Sequence, residues 1–389
     1  MTRNDRRLIS VVWLHLAFAA TGFGTTLLGC LLPALHSAWN LTDAQAGFLF
    51  ACQFTGAALG ALMVREDLFR SIQQGYLVMV ASAVVLGTLH GYGAALVFFF
   101  FGLGMGWAMT AINIVGGTVF ERPGAALSLL NASWIVGAAL SPEIATRWVR
   151  HWRPMQIYFV VAVAFAVIAA ILQHYRVNLL GNSIRRLRVG EGATPWLLIA
   201  GFSLLAFLYV GVEVSVSGWM MTFVHRLPVA GGLWAALITS SFWLALLCGR
   251  LLAPAVLLHV SESRLLLAAM VVACCSVISI LLNHSPAAIL LSAVSAGLAL
   301  APIFPLCASR VLALTHESPQ TKWLFSVAGM GGSVLPWLTG RLSTHTGSLR
   351  DGLLVPVVAL GIMIVCFVLI AGRSQADADF TQQAESSVL

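Results

Sequence analysis

Residues 93–119 read GAALVFFFFGLGMGWAMTAINIVGGTV, twenty-seven consecutive positions without a charge. As a helix, a run of this length rises about 40 Å, more than the ~30 Å of hydrocarbon in a bilayer. It does not alternate apolar and polar positions, so it does not read as a strand of a membrane barrel. Gly102, Gly104 and Gly106 allow another helix to approach closely. They are not a nucleotide-binding loop, because no strand precedes them.

The rest of the chain repeats this pattern. Of 389 residues, 59% are hydrophobic and 9% are charged, and mean hydropathy is +0.93, so the chain has too little charge to cover a water-facing surface. Apolar runs fall at 9–36, 43–63, 74–90, 93–119, 124–147, 155–175, 196–225, 230–253, 264–283, 287–313, 322–346 and 352–373. Twelve spans make the chain an all-α integral membrane protein. The basic start, Met1–Arg7, is followed by an apolar stretch longer than a signal peptide's, without a small-x-small cleavage pattern, so the first run reads as a span. The seven cysteines all sit in apolar runs without zinc-ligand spacing, so they read as packing residues; neither metal nor cofactor is expected.

An even number of spans puts both termini on one side. Placing them in the cytoplasm leaves Arg147, Arg150, Arg153, Arg226, Arg341 and Arg350 outside and the other fifteen of the 21 basic residues inside. That asymmetry predicts a bacterial-type cytoplasmic (inner) membrane protein with cytoplasmic termini.

The longest break, His174–Pro195, holds four arginines and separates six spans from six. It predicts an N-terminal six-helix bundle over 1–175, a cytoplasmic linker over 176–195 and a C-terminal bundle over 196–373. A polar tail over 374–389 reads as disordered. Gly137 precedes Pro142 in the fifth span, and Gly331 precedes Pro336 in the eleventh, at the same spacing. Matching positions six spans apart indicate a parallel duplication, as in major facilitator transporters.

Polar side chains inside spans carry the functional information, because burying them is costly unless they pair or face water. Glu213, in the seventh span, reads either as a cavity carboxylate that binds a ligand or coupling proton, or as a helix-to-helix bond. Ser217 lies one turn on, on the same face. Gln53, Asn113 and Asn131 carry amides that both donate and accept, which suits a polyhydroxyl ligand, although interhelical bonds would use them equally well. His15 could take a proton or serve as a bonding partner. Glu143 lies one turn before Arg147 and reads as its ion-pair partner. Trp219, Trp243, Trp134 and Phe304 have polar neighbours and could stack on the apolar C–H faces of a sugar, or simply pack.

Several ordered motifs resemble the fucose permease-like branch of the major facilitator superfamily, which includes bacterial glucose/galactose permeases. They are Gly22-Phe-Gly-Thr25 with Pro33, Asn40-Leu-Thr-Asp-Ala-Gln45, Gln53-Phe-Thr-Gly56, Tyr209-Val-Gly-Val-Glu213, Gly331-Gly-Ser-Val-Leu-Pro336 and Thr346-Gly-Ser-Leu-Arg350. The resemblance implies two six-helix bundles around a midplane cavity, alternating access and proton-coupled sugar uptake. The chain departs from the family at two positions. Leu28 and Gly29 stand where the family has an Asn-Asp pair, and Met109 stands where it has a Glu. Either Glu213 takes over the coupling proton, or the protein is a uniporter, or substrate and mechanism differ.

The combined expectation is a transporter, not an enzyme, and a monomer. It would carry a small polar solute, most readily a hexose-like sugar, with or without a coupling proton or sodium ion. Gln53, Asn113, Asn131, Glu213, Ser217, Trp219, Trp243 and Phe304 are the candidate substrate-binding residues. Arg65, Asp67 and Arg250 are the candidate gate. Spans one, four, seven and ten would line the cavity, flanked by two, five, eight and eleven. Drug or metabolite efflux on the same fold, a membrane sensor and a polytopic membrane enzyme are the alternatives. An enzyme would need larger loops and acid or His clusters at a membrane face.

Overall fold

The computed structural model describes residues 3–119, 123–174, 196–228, 231–314 and 321–386. The expected linker at 176–195 lies outside them. The helices are α1 Arg3–Trp39, α2 Asp43–Leu62, α3 Leu68–Thr88, α4 Ala94–Val119, α5 Pro123–Trp148, α6 Ile157–His174, α7 Trp196–His225, α8 Gly232–Val256, α9 Glu262–Leu282, α10 Pro286–Leu300, α11 Ile303–Leu314, α12 Thr321–Thr346, α13 Leu349–Gly352 and α14 Leu354–Ser386. Among the described residues they make twelve passes. α10 and α11 together form the tenth, α12 the eleventh, and α13 with α14 the twelfth. The even count returns both termini to one face.

Local chemistry sets the ends of these helices. Thr42 and Gln45 form a capping box at the start of α2: the Gln45 amide donates to Thr42 Oγ1 at 3.2 Å, and the Thr42 amide donates to Gln45 Oε1 at 2.9 Å. These bonds satisfy amides that a helix N-terminus otherwise leaves open. Asp67 caps α3 by accepting from the Arg70 amide at 2.9 Å. The run expected to be continuous over 287–313 breaks at Ala301-Pro302. Proline has no amide to continue the ladder, and its ring clashes with the preceding turn. α3 begins earlier than the hydropathy suggests, because its Asp67 cap lies before the apolar run. At the other end of the chain, α14 continues to Ser386, past residue 373 where the last span and the start of a polar tail were expected.

Among the described residues, ten stretches are long and apolar enough to cross a membrane by length and composition alone. α5 and α12, each 26 residues long, are not among them. They are the fifth and eleventh spans, and each packs one face against helices of both halves. α1 lies against α5 and α2 against α4; correspondingly, α7 lies against α12 and α8 against α10. The two halves meet along α2 with α12, α5 with α8, and α1 with α7.

The paired glycines show why the packing repeats. A Cβ on Gly137 would sit 1.8 Å from the carbonyl oxygen of Ala19 on α1. A Cβ on Gly331 would sit 1.7 Å from that of Phe207 on α7. In a bilayer, burial from water does not drive helices together, so close backbone approach carries the packing. A glycine at each crossing is therefore a steric requirement of both halves. Replacing Gly331 with Val should abolish a monodisperse, cooperatively melting protein. Gly361→Ala, where no atom lies within 4 Å of the added carbon, should change stability by less than about 0.5 kcal/mol. Size-exclusion profiles and thermal melts of the two variants check this.

Candidate functional site: a central cavity between the halves

A cavity of about 1220 Å³, part of it open to solvent, lies between the two halves. Its walls come from α1, α2, α4 and α5 on one side and from α7, α8, α11 and α12 on the other. α11 is the second part of the tenth span, so the lining passes are those expected to line or flank the cavity. The lining includes Ala61, Asn113, Asn131, Arg250 and Phe325, which lie toward the termini-side ends of their helices. The cavity therefore extends toward the face that carries the termini.

The opposite face is closed. The guanidinium of Arg226, at the end of α7, donates from both terminal nitrogens to the Asp43 carboxylate at the start of α2, at 2.8 and 2.6 Å. Ser343 of α12 donates its hydroxyl to the same carboxylate. His36 Nε2 of α1 stands 3.3 Å from it. The Ala44 amide donates to Thr344 Oγ1 at 2.7 Å, so α2 and α12 are also bonded directly. Deeper in the seam, the Thr55 and Ser333 hydroxyls bond at 2.8 Å. On the other side of the molecule, Ser240 of α8 donates to the Ala139 carbonyl of α5 at 2.8 Å. Gly29 meets the backbone of Gly218, whose carbonyl oxygen would lie 2.8 Å from an added Cβ. The position where the resembling family carries an acid is thus a backbone-to-backbone crossing between the halves, with no room for a side chain.

At the centre of the cavity wall, Glu213 of α7 accepts the Tyr209 hydroxyl and lies 3.8 Å from the guanidinium of Arg250 on α8. Both are largely buried, at 10% and 17% side-chain exposure. A single charge at this depth is expensive, and opposite charges facing each other offset the cost. Arg250 was expected at a gate. Its long side chain instead reaches the cavity. The signal was present in the sequence: a cation within an apolar run, and one acid at mid-membrane in the preceding span.

The remaining candidates divide. Asn113, Asn131, Ser217, Trp243 and Phe304 lie on the wall with Glu213. Asn131 Nδ2 donates to Asn113 Oδ1 at 3.2 Å and to its own helix at Leu127 O, 2.8 Å, so the two amides form a fixed polar patch. Phe304 stacks on Tyr209 with ring centroids 5.8 Å apart. Trp243 and Trp134 meet edge to face across the α5–α8 seam at 5.4 Å.

Gln53 and Trp219 are not on the wall. Gln53 is fully buried and donates to the Thr25 carbonyl on α1 at 3.0 Å, which ties α2 to α1. Trp219 is fully buried and donates to the Pro336 carbonyl at 3.1 Å, with Phe50 packed on it at 5.9 Å. It seals the closed side and offers no face to a ligand. Glu143 and Arg147 pair at 3.5 Å, as their spacing suggests, and His15 bonds the Ser133 hydroxyl at 2.7 Å. Arg65 and Asp67 lie on the turn between α2 and α3 at the termini face, where Asp67 serves as a helix cap. The residues missed by sequence reasoning are His36, Asp43, Arg226 and Ser343. Asp43 reads as a first-turn acid favourable to the helix dipole, and its partners lie 183 and 300 positions away.

No protein-family model matches the chain. It is 23% identical over 367 residues to the glucose/mannose transporter GlcP of Bacillus subtilis, covering 86% of this chain and 89% of that one. It is also 23% identical over 389 residues to the glucose/galactose transporter of Brucella abortus, covering 93% of each. Among solved structures, a bacterial homologue of the lysosomal transporter Spinster, inward-facing and unoccupied, superposes with a TM-score of 0.72 at 15% identity, covering 95% of this chain and 97% of that one. The major facilitator superfamily transporter FucP in its outward conformation superposes with a TM-score of 0.63 at 14% identity, covering 92% and 98%.

Two measurements test this site. Arg250→Gln leaves the Glu213 carboxylate buried without its counter-charge, a change of about 3–5 kcal/mol for a broken buried pair. It should lower the melting temperature more than the double variant Glu213→Gln/Arg250→Gln does. If the double variant melts below the single one, the pairing is wrong. Asp43→Asn should raise amide hydrogen exchange at residues 40–46 and 340–346, read by mass spectrometry, because it loosens the closed face. Unchanged exchange there would remove Asp43 from the seal.

Proposed function

We propose that this multi-pass membrane protein, which has the major facilitator fold and resembles bacterial sugar permeases, moves a hexose-like sugar across the membrane by alternating access. The observation that carries the proposal is the cavity itself. It lies between two related halves, is walled by aromatic faces around one central charge pair, and is held shut on a single face.

A sugar has hydroxyls that donate and accept, and C–H faces that are weakly apolar. Glu213 accepts hydroxyl protons, and Arg250 and the Asn113–Asn131 patch donate to hydroxyl oxygens. Phe304 and Trp243 supply flat apolar surface. Water-excluding walls strengthen each of these bonds, because the surrounding dielectric is low. Both halves contribute to the wall from one chain, so a monomer forms the complete site.

The basic residues favour the termini face as the cytoplasmic one, in a bacterial-type inner membrane. The described state is then inward-facing. To expose the cavity outward, Asp43 must part from Arg226 and Ser343, and the Gly29–Gly218 crossing must open. The termini-side ends of the helices would close in exchange, and the turn bearing Arg65 and Asp67 stands at that end. Any coupled proton would be held at Glu213, since among the described residues no other carboxylate lines the cavity. Loading it requires weakening the contact with Arg250, and a bound sugar hydroxyl on Arg250 would do so.

Uptake of labelled glucose, galactose and mannose into proteoliposomes, with and without an inward proton gradient, tests the reading. Saturable uptake of at least one hexose is expected. Glu213→Gln should weaken its apparent affinity about 10–100-fold, the scale of one hydrogen bond to a charged group. Absence of hexose uptake by the wild-type protein would overturn the proposal. If a gradient stimulates the wild type but not Glu213→Gln, Glu213 carries the proton; if neither responds, transport is facilitative.

A further inference from the structure

The turn joining α5 to α6 reads Arg147-Trp-Val-Arg150-His-Trp-Arg153 and lies on the face opposite the termini. It holds three of the six basic residues of that face, although arginine is disfavoured on the translocated side of a membrane. The turn is held by contacts within itself. Trp148 and Trp152 stack with ring centroids 5.7 Å apart and planes 25° apart. Trp148 Nε1 donates to the Arg153 carbonyl at 3.2 Å, and the Trp152 amide to the Trp148 carbonyl at 3.0 Å. The Arg153 amide donates to Gln156 Oε1 at 3.3 Å. Arg147 is paired with Glu143. Among the described residues, no carboxylate pairs with Arg150 or Arg153, and both side chains are exposed.

Apolar surface begins directly below. Leu140 and Ile144 on α5 are 52% and 43% exposed, and they share a face with Arg147. Val160 and Val163 on α6 are 52% and 64% exposed. Two guanidinium groups without a carboxylate partner among the described residues thus stand above exposed aliphatic rows, in the same turn as a tryptophan stack. Tryptophan favours the headgroup level, and arginine forms bidentate bonds to phosphate oxygens. An acidic protein would cover the charges but not the aliphatic rows, which face the bilayer. A phospholipid of net negative charge covers both.

We propose that this turn is a binding site for an anionic phospholipid of the outer leaflet. The headgroup phosphate sits on Arg150 and Arg153, and the acyl chains lie along α5 and α6. The site is independent of the solute carried. It anchors the end of α5, which forms the seam with α8 and whose outer part must move when the closed face opens.

The test uses the full chain purified in detergent, titrated with phosphatidylglycerol or phosphatidylcholine, with retained lipids counted by native mass spectrometry. The wild type should retain phosphatidylglycerol over phosphatidylcholine. Arg150→Gln/Arg153→Gln should reduce that preference roughly thirtyfold, on the scale of one surface charge contact per arginine. Arg70→Gln/Arg264→Gln, which removes charge from the termini face, should leave it in place. Arg150→Lys/Arg153→Lys keeps the charge and should fall between the wild type and the Gln variant. The proposal is overturned by equal retention of the two lipids by the wild type, by an unchanged preference in the Gln variant, or by an equal loss in the termini-face control.

Discussion

The carboxylate of Asp43 holds the far face of the molecule together. It takes both terminal nitrogens of Arg226 from α7, the Ser343 hydroxyl from α12 and the approach of His36 from α1, so four helices from both halves converge on one group. Such a contact can break. Ion pairs and hydroxyl bonds at a water boundary exchange with solvent at modest net cost, because each partner regains hydration when it leaves. A seam of interdigitated aliphatic side chains would be harder to part and to close again. The same contact defines the cavity, since only a sealed end makes the space between the halves a compartment.

Below that seal, the halves are joined by backbone crossings, single hydroxyl bonds and ring contacts, with Phe50 packed on Trp219 and Trp134 on Trp243. Gly29 lies flat on Gly218, and single hydroxyl bonds link α2 to α12 and α8 to α5. Close glycine crossings occur within each half as well as between them, where a Cβ on Gly340 would lie 2.2 Å from the Asp43 carbonyl oxygen. Glycines at α1–α5 and α7–α12 bring backbones so close that a single methyl group would collide with a carbonyl oxygen. Two internally packed halves that meet along a distinct interface are the mechanical condition for rocking about a fixed site.

The charge pair of Glu213 and Arg250 gives the cavity its polarity without giving it a net charge. Both belong to the second half, on neighbouring helices, so their contact does not depend on which face is open. The first half contributes threonines, methionines, asparagines and aromatics to the wall, and among the described residues no acid or base from it lines the cavity. Charge is therefore concentrated on one wall, and a ligand bonded there must be released from that wall before it can leave on either face.

The sequence by itself determined the membrane setting, the number of passes and the duplication, because each is written in short-range pattern: the length of the apolar runs and the spacing of Gly and Pro. It also singled out Glu213, since a carboxylate deep in an apolar span needs a reason. Only the tertiary structure decided the company each polar residue keeps. Gln53 and Trp219 read either as ligand contacts or as packing partners, and the structure places both in interhelical bonds, because which side of a helix faces the cavity depends on how helices far apart in sequence cross. Asp43 looked like an ordinary first-turn acid until Arg226 and Ser343 were brought to it. Arg250 read as part of a gate, and its side chain reaches the Glu213 carboxylate on the cavity wall. Pattern along a chain reports the solvent a residue prefers; its partner is set by packing between segments that the pattern does not relate.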